Sequence, residues 1–324
     1  MPAHAIDLSP ALDSAFARDV ARGLAAHPQK SIPSQYLYDE LGSILFDAIT
    51  LLPEYGLTRA DIRLLRAHSS ELLSALPANL SIVELGSGTG SKTRWILEAA
   101  VGRAPVTYYP IDISATAVNQ CASILESIPG VAIAPQTGTY LEGLAKVTGE
   151  RTRGNSLLVL FLGSTIGNFD YSAARAFLRE IRSLLHPGDS LLLGTDLIKP
   201  LPQLLAAYDD STGVTAAFNL NLLGRLNREL GANFNLREFA HEVRFPQGES
   251  RIEMHLRSRI PQTVEIEALE QSFRFRAGET IWTEGSYKFR RSEVKDLAGQ
   301  TGFVLRRQWI DHEWPFAETL FGAA

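Results

Sequence analysis

From residue 80 the chain repeats one pattern: a short, mostly apolar run followed in most cases by an amphipathic stretch. The runs are Leu80–Leu85, Val106–Ile111, Val131–Ala134, Leu157–Leu162 and Leu191–Leu193. Strands that are apolar on both sides need cover on both faces, and helices between successive strands supply it. The pattern therefore predicts an α/β domain built on a parallel sheet. With 324 residues the chain has room for this domain and a second, smaller one.

The flanking segments read differently. Leu8, Leu12, Phe16 and Val20 are four apart, predicting a helix within residues 8–30, and Pro33 stops any helix there. Leu41, Ile44, Leu45, Ala48, Ile49 and Leu52 mark one face of a second helix, which ends at Leu52-Pro53-Glu54-Tyr55-Gly56. A third is expected from about Arg59 to Leu76. Lys199-Pro200-Leu201-Pro202 suits an interdomain linker, and Ser211 is placed to cap a helix running through Phe218, Leu222, Leu223, Leu226 and Leu230. Ile252, Met254 and Leu256 then alternate with Glu253, His255 and Arg257, as in a half-solvated antiparallel strand. Val264–Glu267 and Phe273–Arg276 repeat that alternation. Strand-like Thr283–Phe289, a helix from about Ser292 to Gln300, and strand-like Phe303–Ile310 close the chain. The organisation expected is a parallel-sheet domain interrupted by an inserted α+β piece, on which the N-terminal helices pack.

Composition narrows the class. Hydrophobic residues make up 45% and charged residues 21%, an ordinary globular mix. Lys and Arg total 31 against 36 Asp and Glu, a net charge of -5, which disfavours nucleic acid and anionic membranes as partners. No apolar stretch approaches the ~20 residues that span a bilayer, and the N-terminus lacks the basic-then-apolar layout of a signal peptide. The single cysteine, Cys121, falls on an apolar helix face with Val118 and Leu125, so it packs, and no disulfide or thiolate cluster is possible within the chain. The seven histidines are dispersed with no i, i+4 pair, so no metal site is expected. These features lead us to expect a cytoplasmic protein.

The sharpest local signal is Glu84-Leu85-Gly86-Ser87-Gly88-Thr89-Gly90, directly after a predicted strand and before a helix opening near Lys92. Glycines here let a ligand approach the backbone closely, and Asp112, at the end of the next strand, is placed to accept both hydroxyls of a ribose. The spacing is G-x-G-x-G rather than the G-x-G-x-x-G of dinucleotide folds. Glu84 repels phosphate but suits a cofactor carrying an amino group and a sulfonium. The loop therefore points to S-adenosylmethionine over NAD. Lys92 has two readings, a contact to the cofactor carboxylate or a solvated residue of the first helical turn.

A second loop, Gly163-Ser164-Thr165-Ile166-Gly167-Asn168, follows the fourth strand, at the end of the sheet where ligands bind in open α/β folds. Its amide and glycines serve a ligand or a plain turn equally well.

Beyond these loops the chain resembles the S-adenosylmethionine-dependent histidine Nα-methyltransferases of ergothioneine biosynthesis. The likeness runs through Tyr36-Leu37-Tyr38-Asp39-Glu40-Leu41-Gly42-Ser43, Phe46-Asp47, Leu52-Pro53-Glu54-Tyr55, Phe161–Asn168, Leu191–Asp196 and Tyr208-Asp209-Asp210. It continues in Gly213-Val214-Thr215, Asn227–Leu230, Arg251–Met254, Thr283-Glu284 and Ser286–Phe289. It implies a Rossmann-like class I methyltransferase domain over 60–198 and 287–324, and an α+β substrate-binding domain over 1–59 and 199–286. It also implies conversion of L-histidine to Nα,Nα,Nα-trimethylhistidine (hercynine); separately, a monomer is expected. Glu84, Gly86, Gly88, Lys92, Asp112, Thr139, Tyr140 and Gly163 are then the expected cofactor residues. Tyr38, Phe46, Tyr55, Thr215, Met254, Glu284, Gly285 and Ser286 are expected at the substrate, with Asn168, Tyr208 and Gly163 at the reacting amino acid. Two positions depart from the family pattern: Thr139 stands where an acid is usual, and Gly285 where Val is commoner.

Alternation along a strand puts Glu284 and Ser286 on one face, ~6.6 Å apart. A carboxylate and a hydroxyl there suit the two ring nitrogens of imidazole, which take opposite hydrogen-bond roles in the neutral tautomer. The competing reading is a wetted strand face carrying Glu284, Ser286 and Lys288. The functional alternatives are a methyltransferase of the same fold acting on another aromatic amino acid or a tryptophan-derived alkaloid precursor, an NAD-dependent oxidoreductase, and a non-catalytic binder of the cofactor.

Overall fold

The computed structural model describes residues 14–324, so Leu8 and Leu12 lie outside the described residues. The described chain divides into two compact units. One runs to Gly56 and resumes over Pro200–Tyr287; the other comprises Leu57–Lys199 and Lys288–Ala324.

The second unit is an eight-stranded sheet. From one edge its order is Phe303–Asp311, Phe316–Ala323, Ser190–Asp196, Ser156–Phe161, Leu80–Leu85, Val106–Asp112 and Val131–Ile133, with Gln136–Thr137 also paired to Val106–Asp112. The strands run parallel except for Phe316–Ala323, which is antiparallel to both of its neighbours, Phe303–Asp311 and Ser190–Asp196. After Leu80–Leu85 the chain builds toward one edge and then crosses back to build toward the other. The topological switch of this Rossmann-like sheet therefore falls where the glycine loop begins. Helix Tyr171–Leu184 shows why the intervening segments are helical: Asp170 accepts the Ala173 N–H at 2.8 Å as its cap, and Ala174, Phe177, Leu178 and Ile181 are buried at i, i+3, i+4 and i+7.

Sequence reading missed the strand Phe316–Ala323. All eight of its residues are buried, but Glu318 and Thr319 interrupt the apolar run that marks the other central strands.

In the first unit a four-stranded sheet has the order Lys30–Ser31, Thr280–Tyr287, Arg251–Ser258, Phe239–Arg244, and a separate hairpin pairs Gln262–Ile266 with Gln271–Phe275. Its helices are Ala15–Leu24, Glu40–Leu51, Leu201–Tyr208 and Val214–Leu230. The apolar face predicted for the last of these, from Phe218 to Leu230, is buried throughout.

The two units divide between Lys199 and Pro200, inside the segment expected to link them. Pro200 and Pro202 open the helix Leu201–Tyr208, since a proline costs nothing where the first-turn N–H groups have no partner anyway. Two other expectations need correction. Ser211 donates to Glu54 Oε1 at 3.0 Å, and the helix start at Val214 is served by Asp210, which accepts the N–H groups of Val214 at 3.0 Å and Thr215 at 2.7 Å. The polar side of Arg251–Ser258 is not half solvated. Glu253 is 7% and His255 2% exposed, because Arg251 and His255 close on the Glu253 carboxylate and replace water there.

Among the described residues no helix is long and apolar enough to cross a membrane.

Candidate active site

In the sheet unit, strand Leu80–Leu85 leads into Gly86, whose φ of +76° favours glycine. Tyr140 lies against it: a Cβ at Gly86 would stand 3.1 Å from the Tyr140 hydroxyl. Burial and the Asp112 charge push the Tyr140 phenol up to about 12. Asp112 ends its strand with both oxygens held beside the loop, Oδ2 by the Gly88 N–H at 3.4 Å and Oδ1 by the Ser114 N–H at 3.0 Å. A Cβ at Gly88 would meet nothing within 4 Å, so the loop leaves open space next to that carboxylate.

Glu84 occupies a different place from the one its sequence position suggests. It is 2% exposed, and its Oε2 accepts from Thr93 Oγ1 at 2.5 Å and from the Tyr108 hydroxyl. It thus braces the two ends of the loop from inside. Burial pushes its carboxyl up to about 7 against the pull of Thr93, Tyr108 and Lys92. Lys92 is not a solvated first-turn residue: it donates to Asp61 Oδ2 at 2.8 Å, and its side chain is 24% exposed. Thr139 is exposed, and its hydroxyl is engaged with Glu142 in a capping box, donating to Oε2 at 2.7 Å.

The second loop is held in an unusual backbone conformation. Gly163 has φ +69° and Ser164, which is not glycine, has φ +63°. Ser164 Oγ accepts the Asp196 N–H at 2.8 Å, and the Gly163 N–H donates to Asp61 Oδ2 at 3.2 Å. Such strain persists only where surrounding bonds hold it, and it collects at functional sites. Asn168 ends the short helical turn Thr165–Asn168 and is exposed. A Cβ at Gly163 would stand 2.7 Å from Lys92 Nζ. Gly163→Ala is therefore expected to cost about 1–2 kcal/mol in chemical denaturation. Gly149→Ala, in a helix with nothing within 4 Å of the new methyl, should stabilise by about 0.5–1 kcal/mol.

The donor set fits S-adenosylmethionine. Asp112 offers a carboxylate for a ribose diol, Lys92 a cation for a carboxylate, Tyr140 an aromatic ring, and the backbone at Gly86 and Gly88 permits close approach.

In the other unit, Tyr38, Phe46, Tyr55, Tyr208 and Phe218 form an aromatic cluster. Ring centroids are 5.4 Å apart for Tyr38–Phe46 and Tyr38–Phe218, 6.3 Å for Phe46–Tyr55 and 6.5 Å for Tyr55–Tyr208. The Tyr208 hydroxyl donates to Ser286 Oγ at 2.7 Å, and Tyr38 donates to Glu284 Oε1 at 3.5 Å. Glu284 and Ser286 are 8% and 7% exposed, so the wetted-face reading fails. Lys288, the third member of that reading, is 2% exposed and paired with Asp196 at 3.0 Å in the sheet unit. Met254 is buried and sits opposite Glu284 in the strand register. Gly285 faces an indole, since a Cβ there would meet the Trp282 ring at 3.1 Å. Thr215 is buried at the start of its helix.

Sequence reading missed a hydrogen-bonded chain behind Tyr208. Asn219 Nδ2 donates to the His255 carbonyl at 3.1 Å, and because a carbonyl only accepts, that atom must be the amide nitrogen. The same nitrogen therefore donates to His241 Nδ1 at 2.9 Å, which leaves His241 Nε2–H to donate to the Tyr208 carbonyl at 2.8 Å. Thr283 Oγ1 donates to Asn219 Oδ1 at 2.7 Å, tying the chain to the strand that carries Glu284. Burial lowers the His241 pKa, which keeps the ring neutral and preserves its acceptor nitrogen. The available sequence signal was Asn219 itself, a polar residue next to Phe218 within the apolar face of its helix.

Comparison with known proteins adds an independent line. Residues 16–323 match the family described as histidine-specific methyltransferase, SAM-dependent. The chain is 43% identical over 308 residues to the histidine N-alpha-methyltransferase of Mycolicibacterium smegmatis, covering 94% of each protein. The protein of that name from Mycobacterium tuberculosis is likewise 43% identical over 308 residues, covering 94% of each. A 4-dimethylallyltryptophan N-methyltransferase from Epichloe festucae var. lolii is 28% identical over 319 residues, covering 90% of each. The match extends over both units and includes every residue placed above, and the chain belongs to the S-adenosylmethionine-dependent, histidine-specific methyltransferase family.

Proposed function

We propose that the enzyme methylates the α-amino nitrogen of L-histidine three times in succession, giving Nα,Nα,Nα-trimethylhistidine for ergothioneine biosynthesis. S-adenosylmethionine, when bound, supplies a methyl on a sulfonium that an amine displaces in line. The residues carry the rest of the work. Asp112, Gly86, Gly88, Tyr140 and Lys92 hold the cofactor, the Gly163–Asn168 loop orients the amine, and Asn168 and Tyr208 serve the substrate carboxylate. Most of the rate then comes from positioning, because the attacking amine need only be neutral, close and collinear. Transfer stops at the quaternary ammonium, which has no proton left to lose. The faces of Tyr38, Tyr55 and Tyr208 are suited to that cation.

The observation that carries the choice of histidine is the buried pair Glu284 and Ser286, on one strand face with Tyr38 and Tyr208 bonded to them. A carboxylate removed from water discriminates against a ring that offers it no N–H. The tryptophan-derivative reading has the 28% relative in its favour, but that similarity is well below the 43% shared with the histidine enzymes. The same proposal makes the protein a cytoplasmic monomer that meets neither nucleic acid nor membrane, which its net charge of -5 supports.

The test is incubation with S-adenosylmethionine and each amino acid in turn, read by tandem mass spectrometry. Histidine alone should gain methyls, three of them, all on the α-nitrogen. No turnover, methylation on the ring, or a preference for tryptophan would overturn the reading.

A further inference from the structure

Behind the Gly163 loop lies a pair of carboxyl groups that the reaction as described does not use. Asp61, on helix Leu57–Ser74, is 0% exposed, and Glu318, on the C-terminal strand, is 2% exposed. Glu318 is paired with Gly194 in the strand register, and the missing side chain there leaves the room its carboxyl fills. A Cβ at Gly194 would stand 3.0 Å from Glu318 Oε1 and 3.0 Å from the Gly163 nitrogen. Asp61 Oδ2 takes two donors, Lys92 Nζ at 2.8 Å and the Gly163 N–H at 3.2 Å. The other three oxygens, Asp61 Oδ1 and both of Glu318, are buried and receive no donor from any other group among the described residues.

Two buried carboxylates that leave three of their four oxygens without donors are not a stable arrangement, since those three lose their water and gain only repulsion. One proton between them resolves it. The acid with two donors already holds the charge, so the proton belongs on the other. We propose that Glu318 is a positioning residue carried as the neutral acid, donating its proton to Asp61 Oδ1 and so fixing the carboxylate that anchors both Lys92 and the Gly163 turn. Burial and the Asp61 charge raise Glu318 well above the usual carboxylic range; the groups around it are Asp61 on the helix, Glu84 on strand Leu80–Leu85 and Lys92 beyond the glycine loop. This inference rests on the reading that Lys92 and Gly163 serve the cofactor, and it adds the element that holds them in place.

Infrared spectroscopy reads the proton directly. In the intact enzyme at alkaline pH, above the value of about 7 at which Glu84 gives up its own proton, a carboxylic-acid C=O band should persist, and it should be absent from Glu318→Gln. Calorimetry with S-adenosylhomocysteine, in the absence of any amino acid, supplies the second readout. Glu318→Gln keeps a neutral donor and should bind within about threefold of wild type, whereas Glu318→Ala leaves Asp61 Oδ1 without one and should bind at least about tenfold more weakly. Absence of the acid band in the wild-type protein, or equal losses in the two variants, would overturn the proposal. Neither readout involves histidine, so failure to methylate histidine would count against the functional reading alone.

Discussion

Asp112→Ala is expected to weaken S-adenosylmethionine and S-adenosylhomocysteine binding at least about a hundredfold while changing the affinity for histidine little. The Asp112 carboxylate is already fixed beside the loop, Oδ2 by the N–H of Gly88 and Oδ1 by that of Ser114. A ribose diol adds two hydrogen bonds to a charged acceptor, each worth about 1.5–3 kcal/mol, and a hundredfold corresponds to about 2.7 kcal/mol. The alanine variant also releases two backbone N–H groups, so Asp112→Asn is the companion: it keeps an acceptor and should fall between the two. Calorimetry against S-adenosylhomocysteine measures all three. Equal losses for cofactor and histidine would show that Asp112 supports the fold rather than the ligand.

Glu284→Ala should have the opposite profile. Histidine binding, measured in the presence of S-adenosylhomocysteine, is expected to fall about fiftyfold or more, with cofactor affinity within about threefold of wild type. The carboxylate is buried, bonded by Tyr38, and carried on the same strand face as Ser286, to which Tyr208 donates. Removing it takes away the acceptor for a ring N–H and leaves a largely apolar aromatic chamber. The ratio of kcat/KM for histidine over tryptophan should therefore drop, through KM for histidine, by at least about tenfold. An unchanged ratio would remove Glu284 from ring recognition.

The sheet that carries the cofactor residues was legible because its strands are apolar on both sides and its helices have one apolar face; these are local patterns. Phe316–Ala323 was not legible, since Glu318 and Thr319 are polar groups whose burial depends on what surrounds them, at Gly194 and Asp61 in the case of Glu318. The same limit explains Glu253 and His255: alternation gives the face a side chain points to, whereas whether that face is wet depends on partners elsewhere in the chain. Within the site, the glycine loop and Asp112 could be read from residue type and spacing. The place of Glu84 could not. Its position beside the loop suggested a ligand contact, while its bonds to Thr93 and Tyr108 depend on the next helix and the next strand. Glu284 and Ser286 were legible as a face, and burial settled which kind of face it is. The chain through Asn219 and His241 joins two helices to three strands, and partners so far apart in sequence leave no spacing to read.

Recognition of the imidazole ring is tested most directly with histidine and its two ring-N-methyl isomers. Each isomer blocks one ring nitrogen and leaves the other and the α-amino group intact, so the set separates ring reading from binding of the amino-acid backbone. Calorimetry in the presence of S-adenosylhomocysteine should show that either ring methyl weakens binding at least about tenfold in the wild-type enzyme. In Glu284→Ala one of the two penalties should largely disappear. If both isomers bind the wild-type enzyme as tightly as histidine, then Glu284 and Ser286 do not read the ring.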